Sequence, residues 1–252
     1  MTRVIGVVSG KGGVGKTTLV ANLAYGLTEL GKDVTVVDAN LTTPHLGLHL
    51  GYHSTPKSLH NFLRGDAKLR DVIYSHPYGF KIIPAGLSVN ELVGVNPDKL
   101  NDLTLNLLGK TDIILFDSAP SLGKEAMISL QIPDEILVLT NPNIPAVLDA
   151  LKVANVAERM NKKILGVVVN RTNKNTNSLA TSEIEDFTKY PVIGEIPEDS
   201  DVQKSLAART SVIDYNYNSP ASVAMRRLSH HLVGRQFNYK QGFWERALNW
   251  MK

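Results

Sequence analysis

The chain has 252 residues, 43% of them hydrophobic and 20% charged, with a formal net charge of +3. That length supports one large α/β domain or two small ones, and the composition is that of a globular protein, not a disordered or fibrous one. There is no cysteine, which excludes disulfides and cysteine-held metals.

In chain order, the first predicted element is the apolar run Val4 to Val8, read as a buried strand. Ser9 to Thr18 then read Ser-Gly-Lys-Gly-Gly-Val-Gly-Lys-Thr-Thr. Gly10, Gly15, Lys16 and Thr17 stand at the defining positions of the phosphate loop G-x-x-x-x-G-K-[ST]. Thr17 to Leu30 follows as a helix with Leu19, Val20, Leu23, Ala24, Leu27 and Leu30 on one face, and Gly31 is its candidate cap. Val34 to Asp38 is the second strand. A loop carrying Leu46, Leu48 and Leu50 comes next, then a short helix from Ser58 to Arg64.

Phe80 to Pro84 is the third strand, and Pro97-Asp98 opens a helix running to about Leu108. Asp112 to Asp117 and Glu135 to Thr140 are the fourth and fifth strands, the latter followed by a long helix from Pro145 to Met160. Ile164 to Val169 and Val192 to Ile196 complete seven strands. Helices near Val202–Arg209 and over Ser219–Val233 close the body. The alternation predicts an α/β protein with a three-layer, doubly wound, mostly parallel sheet. No repeat or long linker interrupts it. We read residues 1–234 as one phosphate-loop domain, and 235–252 as a short tether with a terminal helix.

Small residues let Gly10, Gly12, Gly13, Val14 and Gly15 curl so that successive N–H groups converge on phosphate oxygens at the positive end of a helix. Lys16 is placed to reach the β- and γ-phosphates of ATP, and the Thr17 hydroxyl to ligate Mg²⁺, with Thr18 continuing the cradle. In open α/β sheets ligands bind at the carboxyl ends of strands. Asp38 and Asp117 stand at two such ends, where a Mg²⁺–water shell needs an acidic partner. Each alone also suits a loop cap.

Lys11 is not required by the general loop pattern, and alone it reads as a solvated lysine. The string Lys11 to Thr18, however, resembles the deviant Walker A signature of the MinD/ParA family of dimerising ATPases. The resemblance implies that Lys11 reaches the nucleotide of a partner subunit, in an ATP-dependent homodimer. Asp117-Ser118-Ala119-Pro120-Ser121-Leu122-Gly123 is similar to the family's second switch. Thr140-Asn141-Pro142, followed by Val147-Leu148-Asp149-Ala150, resembles the segment after its fifth strand. Val169-Asn170-Arg171 resembles its adenine motif, and Gly194 to Asp199, with Pro197 and Glu198, the loop over the base. One position departs. Where the family's first switch commonly reads Asp-x-Asp, this chain has Asp38-Ala39-Asn40. An amide can orient a water but cannot act as a general base, so catalysis by Lys11, Lys16, Asp38 and Asn40 is expected to be slow without a stimulating protein. The lack of cysteine excludes the iron–sulfur relatives that share the loop.

The N-terminal apolar run is too short for a secretory signal, and no stretch approaches the roughly 18 apolar residues of a membrane span. The expected location is cytoplasmic, peripheral to the inner face of the cell membrane. Residues 221–252 carry Arg226, Arg227, Arg235, Lys240, Arg246 and Lys252 against Glu245 alone, a basic tail on a near-neutral body. On a helix at ~100° per residue, Phe243, Trp244, Ala247, Leu248, Trp250 and Met251 share one face, opposite Glu245, Arg246, Asn249 and Lys252. Such a helix suits an anionic membrane surface, through Phe243, Trp244, Leu248, Trp250 and Met251, or a docking site on protein. The MinD resemblance implies the membrane. One tail binds weakly, whereas two on a dimer gain avidity of roughly 10²–10⁴. The resulting expectation is a membrane-binding ATPase switch in spatial positioning, such as division-site selection, with a regulatory protein partner. Two alternatives stand beside it: a ParA-type partition ATPase holding DNA through Arg226 and Arg227, and a scaffold that barely turns ATP over. The aromatic tail argues against DNA.

Overall fold

Strands covered by helices on both faces carry apolar side chains throughout, and the inner strands of this sheet are built that way. Among the residues described by the computed structural model, 1–173 and 178–238, the chain alternates as expected. It begins with β1 (Arg3–Val8), α1 (Lys16–Glu29), β2 (Val34–Ala39), α2 (Leu46–His49), α3 (Leu59–Arg64) and α4 (Leu69–Val72). The hairpin β3 (Tyr74–Ser75) and β4 (Lys81–Ile83) follows, then a 3₁₀ turn (Val89–Leu92), α5 (Lys99–Leu107), β5 (Ile113–Ser118), α6 (Lys124–Gln131) and β6 (Glu135–Thr140). The rest comprises α7 (Ile144–Arg159), β7 (Lys163–Thr172), α8 (Thr181–Thr188), β8 (Val192–Pro197), α9 (Ser200–Ala207), α10 (Val212–Tyr215) and α11 (Pro220–Leu232).

The eight strands form one sheet in the order β3-β4-β2-β5-β1-β6-β7-β8, parallel except for β3 against β4. Successive residues of β1 serve opposite faces. Ile5 and Val7 pack with α1 and α11, whereas Val4 and Val8 pack with the helices of the other layer. Of the leucines predicted for the inner face of α1, Leu19, Leu23 and Leu27 are buried, each contributing about 1.5–3 kcal/mol, whereas Leu30 ends the helix and is only partly buried. Gly31 follows the helix with φ 76°, the left-handed turn expected of a glycine that ends one.

Several expectations need correction. The segment with Leu46, Leu48 and Leu50 is not a plain loop, since Leu46–His49 is a single helical turn with Leu46 buried in the core. Its first N–H donates to Asp38 Oδ2 at 3.0 Å, so the turn is organised from a neighbouring strand and leaves no helical periodicity to read. The helices α4, α6, α8 and α10 and the two-residue strand β3 are further additions to the expected elements, making eight strands instead of seven among the described residues. All are short and depend on packing against neighbouring elements more than on their own propensity, α8 chiefly against α7.

Candidate functional site

Strand β1 lies between β5 and β6, which arrive later in the chain, so its carboxyl end opens at a break in strand order where open sheets bind ligands. The loop leaving β1 is held by two tight approaches. A Cβ on Gly10 would lie 2.3 Å from the Asp149 backbone in α7, and one on Gly15 would lie 2.4 Å from Asn170 Nδ2. Gly15 also has φ 104°, a left-handed conformation that favours glycine. No side chain caps α1 and no acid stands in its first turn, which leaves its first N–H groups for an anion.

The two loop lysines have different surroundings. Lys16 is buried, and its Nζ donates to Ser9 Oγ at 2.9 Å. Burial lowers its pKa and the nearby Asp117 pulls it back up. Lys11 lies on the outer rim, where with Gly12, Gly13, Asn141, Asn143 and Arg171 it lines an open groove of about 880 Å³. Its backbone carbonyl accepts the Ser9 hydroxyl at 2.8 Å.

Asp38 and Asp117 are buried neighbours across the β2–β5 ladder. Asp38 is satisfied by backbone, accepting from Leu46 N at 3.0 Å and more weakly from Asn40 N at 3.3 Å. Neither oxygen of Asp117 has a hydrogen-bond partner of good geometry. Burial raises the Asp117 pKa to about 6, against the opposing pull of the nearby Thr17 hydroxyl and Lys16. Burial, and then the charge of Asp117, push Asp38 well up. Two buried carboxyls with one orphaned between a hydroxyl and an ammonium form a donor set for a hard divalent cation, so Thr17, Asp38 and Asp117 fit Mg²⁺.

Asn40 is bonded to its own loop. Its Nδ2 donates to Thr43 O at 2.6 Å and its Oδ1 accepts from the Thr43 hydroxyl at 3.1 Å, so both ends of the amide are occupied by its own loop. The next residues of that loop are tied across the site, because Glu125, in the first turn of α6, accepts from Thr42 N at 2.9 Å and Thr42 Oγ1 at 2.5 Å. The loops after β2 and β5 are thus fastened to each other.

Beside the phosphate loop lies a narrow cleft of about 70 Å³, lined in part by Gly15, Thr18, Asn170, Arg171, Pro197 and Glu198. Asn170 Nδ2 donates to Val14 O at 2.7 Å, and Asn141 Nδ2 donates to Asn170 O at 3.0 Å. Arg171, with φ 59°, forms an ion pair with Glu198 at 3.8 Å across the mouth of the cleft. The loop and base-site residues predicted from sequence therefore converge, with Val14 contributing its carbonyl while its side chain enters the core.

Ser9 and Asn141 stand in the quoted motifs without an individual role there, and Glu125 has no place in the sequence reading. For Ser9 and Asn141 a signal existed: a polar residue just beyond an otherwise apolar strand. Arg226, which the DNA alternative needs, is largely buried, with its guanidinium 3.4 Å above the Tyr217 ring and an ion pair to Glu29 at 3.8 Å. The segment expected to be a tether from Gly234 is partly engaged, since Arg235 donates to Leu30 O at 3.0 Å and the Phe237 ring meets His230 edge-on. Phe243, Trp244, Leu248, Trp250 and Met251 lie outside the described residues.

The profile of the CobQ/CobB/MinD/ParA nucleotide binding domain matches residues 5–212, from β1 through the loop, both carboxylate strands and the base cleft. The chain belongs to this family. An uncharacterized ATP-binding protein of Methanocaldococcus jannaschii is 35% identical over 237 residues, 94% of this chain and 90% of the relative. The septum site-determining protein MinD of Buchnera aphidicola is 32% identical over 251 residues, 93% and 92% of the two chains. Among solved structures, MinD of Pyrococcus horikoshii complexed with Mg-ADP superposes with a TM-score of 0.89 at 34% identity, covering 92% of this chain and 96% of that one. The MinD fold is therefore shared along nearly the whole described body. Among the described residues, no helix is long and apolar enough to cross a membrane.

Proposed function

We propose that this chain is a switch ATPase of the MinD type, which dimerises around ATP–Mg²⁺ and binds an anionic membrane as the dimer. The observation that carries the reading is the division of labour between the two loop lysines. Lys16 is buried beside Asp117 and serves the chain's own phosphates, whereas Lys11 stands on an outward rim suited to a second copy. The same end of the sheet is unusually apolar for a free surface. Val89 after β4, Leu122 after β5, and Ile144 and Leu148 at the start of α7 are all exposed there, Val89 by 79%. A dimer closed over the nucleotide would cover them.

Bound Mg²⁺ supplies charge neutralisation between the β- and γ-phosphates and the Asp38–Asp117 pair. Thr17, Asp38 and Asp117 hold it, Lys16 and the α1 N–H groups hold the phosphates, and Asn170 with Pro197 and Glu198 borders the base. With the Asn40 amide turned onto Thr43, no carboxylate stands at that position to take a proton from water, and turnover is slow until a protein partner rearranges the loop. The role is spatial positioning, such as division-site placement or polar localisation. Membrane binding is assigned to the amphipathic segment read from the sequence at the end of residues 235–252. Co-sedimentation with anionic liposomes tests this, using the intact chain and one ending at Gly242. ATP should drive only the intact chain onto the vesicles. Equal sedimentation of the shortened chain would remove the membrane helix from the account.

A further inference from the structure

At the opposite end of the sheet from the phosphate loop, a second surface is assembled from three separate stretches of chain. Thr35 and Lys81 are paired at the amino ends of β2 and β4. The carboxyl end of α5 and the following turn bring Leu107 and Lys110, and α4 with its two flanking residues brings Lys68, Leu69, Arg70 and Ile73. Together they enclose a solvent-open groove of about 910 Å³. Its floor is apolar, formed by Leu69, Ile73 and Leu107, and its charged walls are Lys68, Arg70, Lys81 and Lys110, with no acid in the lining.

These cations are only partly neutralised. Lys81 is paired with Asp33 at 2.8 Å, and Arg70, whose side chain is 80% exposed, approaches Asp71 at 3.6 Å. Lys68 and Lys110 make no ion pair among the described residues. Nothing in the nucleotide chemistry uses this surface, and a dimer closed over the loop end leaves it open. Its charge excludes the chain's own basic tail as occupant. Its concave form suits a chain segment that enters it better than a flat bilayer. No aromatic side chain lines it to stack a nucleobase.

We propose that this groove docks an acidic, leucine-type segment of a partner protein, with carboxylates on Lys68, Arg70 and Lys110 and apolar side chains on Leu69, Ile73 and Leu107. Charge complementarity sets the partner's sign, and the apolar floor distinguishes a mixed segment from a bare polyanion. The site is accessible in monomer and dimer alike, so a bound partner follows the switch without competing for nucleotide.

The test uses the intact chain and fluorescein-labelled twelve-residue peptides, one repeating Glu-Glu-Leu and one repeating Glu-Glu-Ser, read by anisotropy. The leucine peptide should bind, weaken steeply with salt, and lose about tenfold or more in affinity to a Lys68→Glu/Arg70→Glu/Lys110→Glu variant. Fluorescent ATP binding by that variant, unchanged from the parent, shows that the body remains folded. Equal binding of the serine peptide overturns the apolar half of the proposal. Equal binding of the leucine peptide to parent and variant places its site elsewhere and overturns the whole. Loss in the same variant of binding to duplex DNA, or to anionic vesicles by a chain ending at Gly242, with no binding of the leucine peptide, overturns the protein-partner assignment.

Discussion

Asp38 and Asp117 stand on the same rung of the β2–β5 ladder, two carboxyls side by side at the buried carboxyl edge of the sheet. Backbone N–H groups satisfy the first and nothing in the chain fully satisfies the second. Burial opposes ionisation of both carboxyls, and for Asp38 the charge of Asp117 adds to it.

Replacing Asp117 by Asn tests the cost of burying its charge. With its carboxyl pushed up to about 6, ionisation of Asp117 at neutral pH works against the folded state, and a neutral amide removes that cost. Asp117→Asn should stabilise the nucleotide-free chain by about 2 kcal/mol in urea denaturation while weakening Mg²⁺-dependent nucleotide binding by roughly tenfold or more. A less stable variant would falsify the account of a costly buried charge.

Lys11 and Lys16 should separate by experiment as they do in space. Lys11→Ala should abolish ATP-dependent dimerisation in light scattering, yet leave nucleotide binding by the monomer within about threefold, because the lost contact belongs to the partner's site. Lys16→Ala should lose nucleotide binding itself. If Lys11→Ala still dimerises with ATP, the reach across the interface is wrong.

Asn40→Asp exchanges the donor that reaches Thr43 O for a third acid near the Asp38–Asp117 pair. Thermal denaturation should show a loss of about 1–3 kcal/mol without metal, from the broken hydrogen bond and the added charge. Phosphate release should rise by about tenfold or more once Mg²⁺ and ATP are bound, since a carboxylate can accept the proton from water. An unchanged rate would assign the limiting step to something other than Asn40.

His49 supplies a pH dependence. Burial, and then the nearby His45, lower its pKa to about 4, against an ordinary value of about 6.5. Between those values the unfolded chain takes up a proton that the folded chain refuses, so stability is full above about 6.5 and falls as pH drops toward 4. The loss from this one group is about 2–3 kcal/mol. Burial pushes His60 and His76 in the same direction, so the measurement is a difference. His49→Leu should flatten the parent's decline in urea midpoint between pH 6.5 and 4, and parallel curves would show that His49 does not contribute.

Much of this site is legible in the sequence because its defining signals are local. The phosphate loop needs particular residues at fixed spacing between a strand and a helix, and Gly10 to Thr18 supply them within a single turn of chain. Gly15 is required by its own backbone angle as much as by its neighbours. The short elements α2, α6 and β3 were not legible, because each is held by contacts from distant residues. Leu46 bonded to Asp38 is the plainest case.

The sequence by itself determined that phosphates bind between β1 and α1, that the sheet is mostly parallel, and that acidic residues stand at its strand ends. These follow from glycine geometry and from apolar runs, which act over a few residues. Only the tertiary structure decided that Asp38 and Asp117 share a rung, that Glu125 fastens one loop to another through Thr42, and that Asn40 is turned onto its own loop. It also assembled the basic groove from α4, β4 and the end of α5. Each depends on which strands become neighbours, a choice made by packing across the whole chain, which no local pattern records.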